Sequence, residues 1–256
     1  MKFYVCIKQV PDVNAPIQIK GEELIQDTNR MILNAYDASA VEEALVLTEQ
    51  HDGEVEVVLI GPDKAKETIR KALAMGAQKA THIQTNGDEN YDSATYASIL
   101  AAFFKDKTYD VISCGKQSQD TDAGLTGSML AELLNLPYAT NAVGLKIEDD
   151  NLVVKRQGDA GQEMIELPTP CLVTCSNDMN EPRIPSLKGI MQSKRKPMEK
   201  VELSSLNLDE SKLSAKATIT GYQEKPEREA GKKFEGEADE IAREVAQLLD
   251  TEANAV

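Results

Sequence analysis

Residues 55–85, VEVVLIGPDKAKETIRKALAMGAQKATHIQT, decide the fold class. They open on an apolar run from Val55 to Ile60, broken only by Glu56 and stopped by Gly61-Pro62. Such a run reads as a strand covered on both faces. The next segment puts Ile69, Ala72 and Leu73 on one helical face and stops at Gly76. Glycine takes the backbone of a helix end at little cost. ATHIQT, residues 80–85, then reads as a short strand. Strand, helix and strand within about thirty residues form a βαβ unit with parallel strands.

The same alternation extends both ways. FYVCIKQV, residues 3–10, reads as one buried strand. Ser39 and Glu42 match a capping box ahead of a periodic run through Val41, Ala44, Leu45 and Leu47. Asp92 opens a helix through Ile99, Leu100 and Phe103, and YDVISCG, residues 109–115, is a fourth strand. A polar loop follows, then a helix through Met129, Leu130 and Leu133. This order predicts an α/β fold with a doubly wound, mostly parallel, Rossmann-like sheet. Ligands in such sheets lie beyond the carboxyl ends of the strands. The loops after Val10, Ile60 and Cys114 are expected to share one rim.

Beyond residue 144 the pattern changes. LKIEDDNLVVKRQ reads as a hairpin turning at Asp149-Asp150-Asn151, and IELPTPCLVTC as one further strand. From about Ser204 to Glu237 the chain is polar and broken by Pro226, Gly231 and Gly236. It reads as an extended arm. Ile241, Val245, Leu248 and Leu249 stripe a terminal helix that either embraces a partner or folds back. The expected division is an α/β domain over 1–203 and a C-terminal arm over 204–256.

The 256 residues carry a formal charge of −15, which disfavours binding to nucleic-acid backbones. No apolar run approaches the ~20 residues that cross a bilayer. MKFYVCIKQV lacks a small-residue cleavage site and reads as a first strand, not a signal peptide. Cys171 and Cys175 in one strand would sit ~13 Å apart, too far for a disulfide. Buried small thiols in a reducing, cytoplasmic compartment fit the four cysteines. His51 and His82 belong to no ligand-spaced pair, so a metal site is not expected. No catalytic elbow occurs, and any redox chemistry would be a cofactor's.

Three stretches carry chemistry. GKQSQDTDAGLTG, residues 115–127, joins a strand to a helix. Its small residues leave N–H groups accessible, and the following helix start is an anion site. Ser118, Thr121 and Thr126 can donate to phosphate, and Lys116 can add charge. Asp120 and Asp122 suit ribose contacts, capping or bracing. P-loop and G-x-G-x-x-G patterns are absent. On residues alone, a nucleotide site and a well-capped surface loop stand level. In LNAYDASAVEEA, Asn34 and Asp37 can hydrogen-bond a ligand and Tyr36 can pack on one. In isolation that stretch reads better as turn chemistry. NEPRIPSLKGIMQSKRKP, residues 180–197, sets Leu187, Ile190 and Met191 among Lys188, Lys194, Arg195 and Lys196. It is a docking loop or, more simply, a surface connection whose apolar residues tuck inward.

Taken together, these segments resemble the electron-transfer flavoprotein β-subunit family. CIKQVPD resembles its V-K-(Q/R)-V opening. LNAYDASAVEEAL resembles N-P-(F/Y)-x-x-x-A-(V/L)-E-(E/T)-A, with Ala35 where Pro is usual. GPDKAKETIRKALAMGAQKATHI, GKQSQDTDAGLTG, VKRQGDAGQEMIELPTPCLVT and NEPRIPSLKGIMQSKRKP resemble four further family segments in order. The arm after Ser204 matches only loosely. The resemblance implies a nucleotide-binding domain paired with an α subunit that holds most of the FAD, with AMP as a structural nucleotide in the β subunit. The AMP contacts it implies fall on Cys6, Asn34, Ala35, Tyr36, Asp37, Ile60 and the loop Gly115, Lys116, Gln117, Ser118, Gln119, Asp120, Thr121, Asp122, Ala123, Gly124, Leu125 and Thr126. It also implies a recognition loop over 180–197, anchored by Leu187, that docks flavin dehydrogenases such as acyl-CoA dehydrogenases. Electrons would pass to a membrane quinone oxidoreductase, with no bond-breaking step in this chain.

Gly124-Leu125 stand where the family often has Asn-Gln, so phosphate contacts there fall to backbone N–H groups. Bifurcating relatives hold a second FAD in this place, together with an NADH site. Lys116, Thr126 and Ser128 depart from their loop pattern, which favours AMP. A stand-alone stress-protein-like nucleotide module is a further rival, against which the segment from Asn180 onward argues.

Overall fold

Alternation along the first strand sets the layers of the molecule. In β1 (Lys2–Ile7), Phe3, Val5 and Ile7 enter one apolar core, and Tyr4 and Cys6 enter another on the opposite face. The computed structural model describes residues 1–26, 30–87, 89–227 and 230–252. After β1 the chain forms β2 (Gln9–Pro11), β3 (Ile17–Lys20), β4 (Glu23–Gln26), β5 (Met31–Leu33) and α1 (Ala35–His51). Then come β6 (Glu54–Gly61), α2 (Lys66–Met75), β7 (Lys79–Gln84), α3 (Ser93–Phe104), β8 (Val111–Gly115) and α4 (Thr126–Leu134). The later part adds β9 (Tyr138–Glu148), β10 (Asn151–Gly158), β11 (Gly161–Pro168), β12 (Cys171–Cys175), α5 (Leu187–Ser193) and β13 (Met198–Glu202), then α6 (Glu210–Leu213) and α7 (Ala238–Thr251).

Nine strands form one sheet in the order β11-β10-β9-β12-β8-β1-β6-β7-β13. Pairing is parallel from β9 through β13 and antiparallel in the β9–β10–β11 meander. The sheet is the doubly wound, mostly parallel kind expected. Residues of α1 and α2 share a core with one face, and residues of α3 and α4 share a core with the other. From β1 the chain winds outward through β6 and β7, then returns to place β8 on the other side of β1. The switch point therefore lies between β1 and β8.

The structure corrects three local readings. Residues 3–10 make two strands. The Lys8 N–H goes to the Asp37 carboxylate at 2.7 Å, so the ladder ends at Ile7, and Gln9–Pro11 pair antiparallel with β5. The capping box is not used. Helix α1 starts at Ala35 after Asn34, which leaves Ser39 and Glu42 inside the helix. The reason is tertiary. Asn34 Nδ2 donates to the Gln117 carbonyl at 2.9 Å and Oδ1 accepts from Gln119 N–H at 3.1 Å, which pins the helix start to the loop before α4. Third, IELPTPCLVTC is the end of β11 plus β12. Two prolines in Pro168-Thr169-Pro170 supply no ladder donor, and β12 returns parallel to β8. Two other helix ends agree with the sequence: Asp92 Oδ1 caps Thr95 N–H at 2.9 Å, and Gly76 ends α2 at φ 152°.

The arm begins on the domain itself. Leu203, Leu206, Leu208 and Leu213 pack against the core under α3 and α4. Farther on, Tyr222 N–H donates to the Glu22 carbonyl at 3.1 Å, beside the β3–β4 hairpin. Helix α7 has no buried residue. Its Ile241, Val245 and Leu248 are half-buried and Leu249 is exposed. Positions 228–229 and 253–256 of the expected arm lie outside the described residues.

Candidate functional site

At the switch point a cavity of about 570 Å³ opens beyond the carboxyl ends of β1, β6 and β8. The strands supply its floor: Cys6 and Ile7, Val58 and Ile60, and Cys114 and Gly115. Cys6 and Cys114 are register partners across the β1–β8 seam. Burial pushes both thiols above their ordinary pKa, so they remain protonated and inert.

Asp37 holds the rim together. Its buried carboxylate accepts Lys8 N–H at 2.7 Å and Gly115 N–H at 2.8 Å, joining the ends of β1 and β8. Burial raises its pKa to about 7 against the opposing pull of those donors. Gly115 has no room for a side chain, because a Cβ there would lie 2.4 Å from Asp37 Oδ1.

The loop from Gly115 to Thr126 forms one wall, with Lys116, Gln117, Ser118, Thr121, Ala123, Gly124, Leu125 and Thr126 lining the cavity. Other candidates stand behind it as braces. Asp120 accepts Lys8 Nζ at 2.8 and 2.9 Å, and Asp122 accepts Gln117 Nε2 at 2.9 Å. Gln119 Oε1 accepts Ala35 N–H at 2.9 Å. Tyr36 lies under Lys116, whose Nζ is 5.8 Å from the ring centroid. Of the expected contacts, Cys6, Asn34, Asp37 and Ile60 line the cavity, whereas Ala35, Tyr36, Gln119, Asp120 and Asp122 do not.

The cavity lining combines two kinds of surface. Val58, Ile60, Leu100 and Met129 are apolar lining residues, with Tyr91 and Tyr96 among the others, the kind of surface a flat heteroaromatic base packs on. Helix α4 starts behind Leu125 with no side-chain cap. Its first-turn N–H groups, from Thr126 onward, adjoin the cavity and suit an anion. Helix α4 sits close to the sheet because Gly127 permits it. A Cβ there would meet Thr174 Cγ2 at 2.5 Å and Cys114 Sγ at 2.8 Å. These residues have the chemistry a nucleotide needs, apolar surface for a base and free helix N–H groups for a phosphate.

Some lining residues were missed by the sequence reading. Val58 was within reach of it, since alternation places residue 58 on the face of Ile60. Lys8, Tyr91, Tyr96 and the arm segment Lys216, Ala217, Thr218 and Ile219 carry no local sign of a ligand. Among the described residues, no group of three or more His, Cys, Asp or Glu is placed to hold a metal ion, and no helix is long and apolar enough to cross a membrane.

A second surface lies on the opposite layer. Segment 180–197 leaves β12, crosses the outside of α1 and α2, and ends in β13. Arg183 binds Glu42 at 2.8 Å and Glu49 at 2.6 Å, while Asn180 Nδ2 reaches Glu43 at 2.9 Å. Helix α5 lies against α2, where a Cβ on Gly189 would sit 2.5 Å from the Ala74 carbonyl oxygen. Lys196 Nζ donates to the carbonyls of Leu73, Gly76 and Ala77 at 2.8, 3.0 and 2.7 Å. The apolar residues do not tuck inward. Leu187 is 83% exposed, Met191 71% and Ile190 44%, and Ile184, which the sequence reading passed over, is 92% exposed. Lys188 and Arg195 are also exposed beside them.

Comparison with known proteins agrees with this architecture. A family model described as the electron transfer flavoprotein domain matches residues 23–206. The electron transfer flavoprotein subunit beta of Bacillus subtilis is 35% identical over 257 residues, covering 100% of both chains. Its counterpart in Mus musculus is 34% identical over 248 residues, 95% of this chain and 96% of the relative. The caffeyl-CoA reductase-Etf complex subunit CarD of Acetobacterium woodii is 39% identical over 201 residues, 77% of each. The chain belongs to the electron transfer flavoprotein family, as a β subunit.

Proposed function

We propose that this β subunit is the nucleotide-braced, partner-docking half of a heterodimeric electron carrier. AMP occupies the cavity between β1 and β8, with its phosphate at the α4 N-terminus and its base on the Val58–Ile60 side. The α subunit holds most of the FAD, which supplies the electron chemistry when bound. This chain breaks no bond of a substrate. Its residues brace one wall of the heterodimer and present the 180–197 loop, with Leu187, Ile190 and Met191 as apolar anchors and Lys188 and Arg195 as a cationic rim. The partners are flavin dehydrogenases such as acyl-CoA dehydrogenases as donors, and a membrane quinone oxidoreductase as acceptor. Four unpaired, buried cysteines suit a reducing cytoplasm.

The observation that carries the reading is the cavity itself: an uncapped helix start and a small-residue loop at the switch point of the sheet. The test is to co-express the chain with its α subunit, denature the purified complex, and identify the released nucleotides. One FAD and one AMP per complex are expected. Two FAD and no AMP would assign the cavity to a second flavin, as in a bifurcating subunit with an NADH site. Failure to form a stable complex would favour a stand-alone nucleotide module.

A further inference from the structure

One side of the cavity is built by residues far away in sequence. Lys216, Ala217, Thr218 and Ile219 of the arm line it together with the Gly115–Thr126 loop. They are held there by Asp92. Its Oδ1 caps α3 through Thr95 N–H and Oγ1, both at 2.9 Å. Its Oδ2 accepts the backbone N–H groups of Lys216 at 2.5 Å and Ala217 at 3.0 Å. Asp92 itself lines the cavity. On either side the arm is fixed by other contacts: Leu203, Leu206, Leu208 and Leu213 in the core before it, and Tyr222 N–H on the Glu22 carbonyl after it. The segment between is a strap laid over the site, and one carboxylate fastens it at mid-span.

We propose that residues 216–219 are a closing wall of the nucleotide site and that Asp92 is the positioning residue that holds this wall, so that nucleotide retention depends on the C-terminal arm. The inference rests on the nucleotide reading given above. A ligand seated against the strap is then retained for as long as Lys216 and Ala217 stay on Asp92. Asp92 is therefore a gate on exchange and need not touch the phosphate, which its charge disfavours as a neighbour.

The test uses the complete heterodimer, wild type and two variants. In Asp92→Ser the side chain is shorter. It still caps Thr95 but cannot span to the arm. In Ala217→Pro the arm loses one of the two N–H donors. Two quantities are measured: release of the co-purified nucleotide with excess AMP as chase, and tryptic cleavage after Lys216. Both variants are expected to release nucleotide about tenfold faster or more, the scale of one lost hydrogen bond to a charged group. In Asp92→Ser, cleavage after Lys216 should quicken in parallel, with the thermal midpoint near wild type; trypsin does not cut a Lys–Pro bond, so Ala217→Pro is read by nucleotide release alone. Faster cleavage with unchanged release would overturn the strap while leaving the nucleotide reading intact. If the released nucleotide is FAD, the AMP assignment fails and its release rate still decides the strap. A wild-type complex with no nucleotide at all overturns both.

Discussion

Asp37 joins the ends of β1 and β8 through a single buried carboxylate, and that placement has a titration consequence. Its pKa stands near 7 in the fold against the ordinary 3.8. The folded state thus keeps a proton that the unfolded chain releases. This contribution to stability is present below about pH 4 and is lost as pH rises through about 7, with a slope of up to about 1.4 kcal/mol per pH unit. Asp37→Asn is expected to flatten the pH dependence of the urea midpoint between about pH 5 and 7; an unchanged slope would assign the titration elsewhere. Leu187 makes a prediction of another kind. In the docking role proposed for it, Leu187 would act as an apolar anchor, and anchors of this sort contribute about 2 kcal/mol, roughly thirtyfold in affinity. Leu187→Ala should slow electron transfer from a flavin dehydrogenase by that order with FAD content unchanged, and loss of FAD would refute the docking role. Ser118 and Thr126 were legible as cavity lining because the loop between an apolar strand and a helix falls at the carboxyl rim of a parallel sheet. Lys8 and Tyr96 were not, because an ordinary strand end and an ordinary helix face acquire their place from neighbours more than 80 positions apart.

Among the elements, α5 shows how an exposed helix keeps a fixed position. Lys196 supplies donors to three carbonyls at the end of α2, and Arg70 of α2 donates back to the carbonyls of Ser193 and Lys196. Burial lowers the Lys196 pKa, so the ammonium depends on those carbonyls. Lys196→Met is expected to cost about 1–3 kcal/mol, lowering the thermal midpoint by a few degrees and speeding tryptic cleavage after Arg195 as the segment loosens. Undiminished protease resistance would show that the Gly189–Ala74 contact suffices. The βαβ periodicity of residues 55–85 was plain because local period and burial agree there. The start of α1 was obscured because Asn34 spends its side chain on the loop before α4, and no local pattern records a bond 83 positions away.

For the whole molecule, the question is what stands alone and what waits for a partner. Helix α7 buries none of its residues. Deleting residues 237–256 should therefore leave the thermal midpoint of the domain within about 0.5 kcal/mol of unchanged stability, while weakening co-purification with the α subunit; retained pairing would free α7 from that role. Layering, sheet type and the hairpin after residue 144 were readable from the order of elements. The strap was not, since a polar segment without period says nothing about where it lies. The order of strands has a last consequence. Strands β12 and β13 flank segment 180–197, yet β8, β1, β6 and β7 stand between them in the sheet, and among its neighbours β13 pairs with β7. That strand has no seat until residues 55–85 have folded. An incompletely synthesised or half-folded subunit thus has no shaped 180–197 surface, and if that surface docks partners as proposed, such a subunit would be a poor decoy for them.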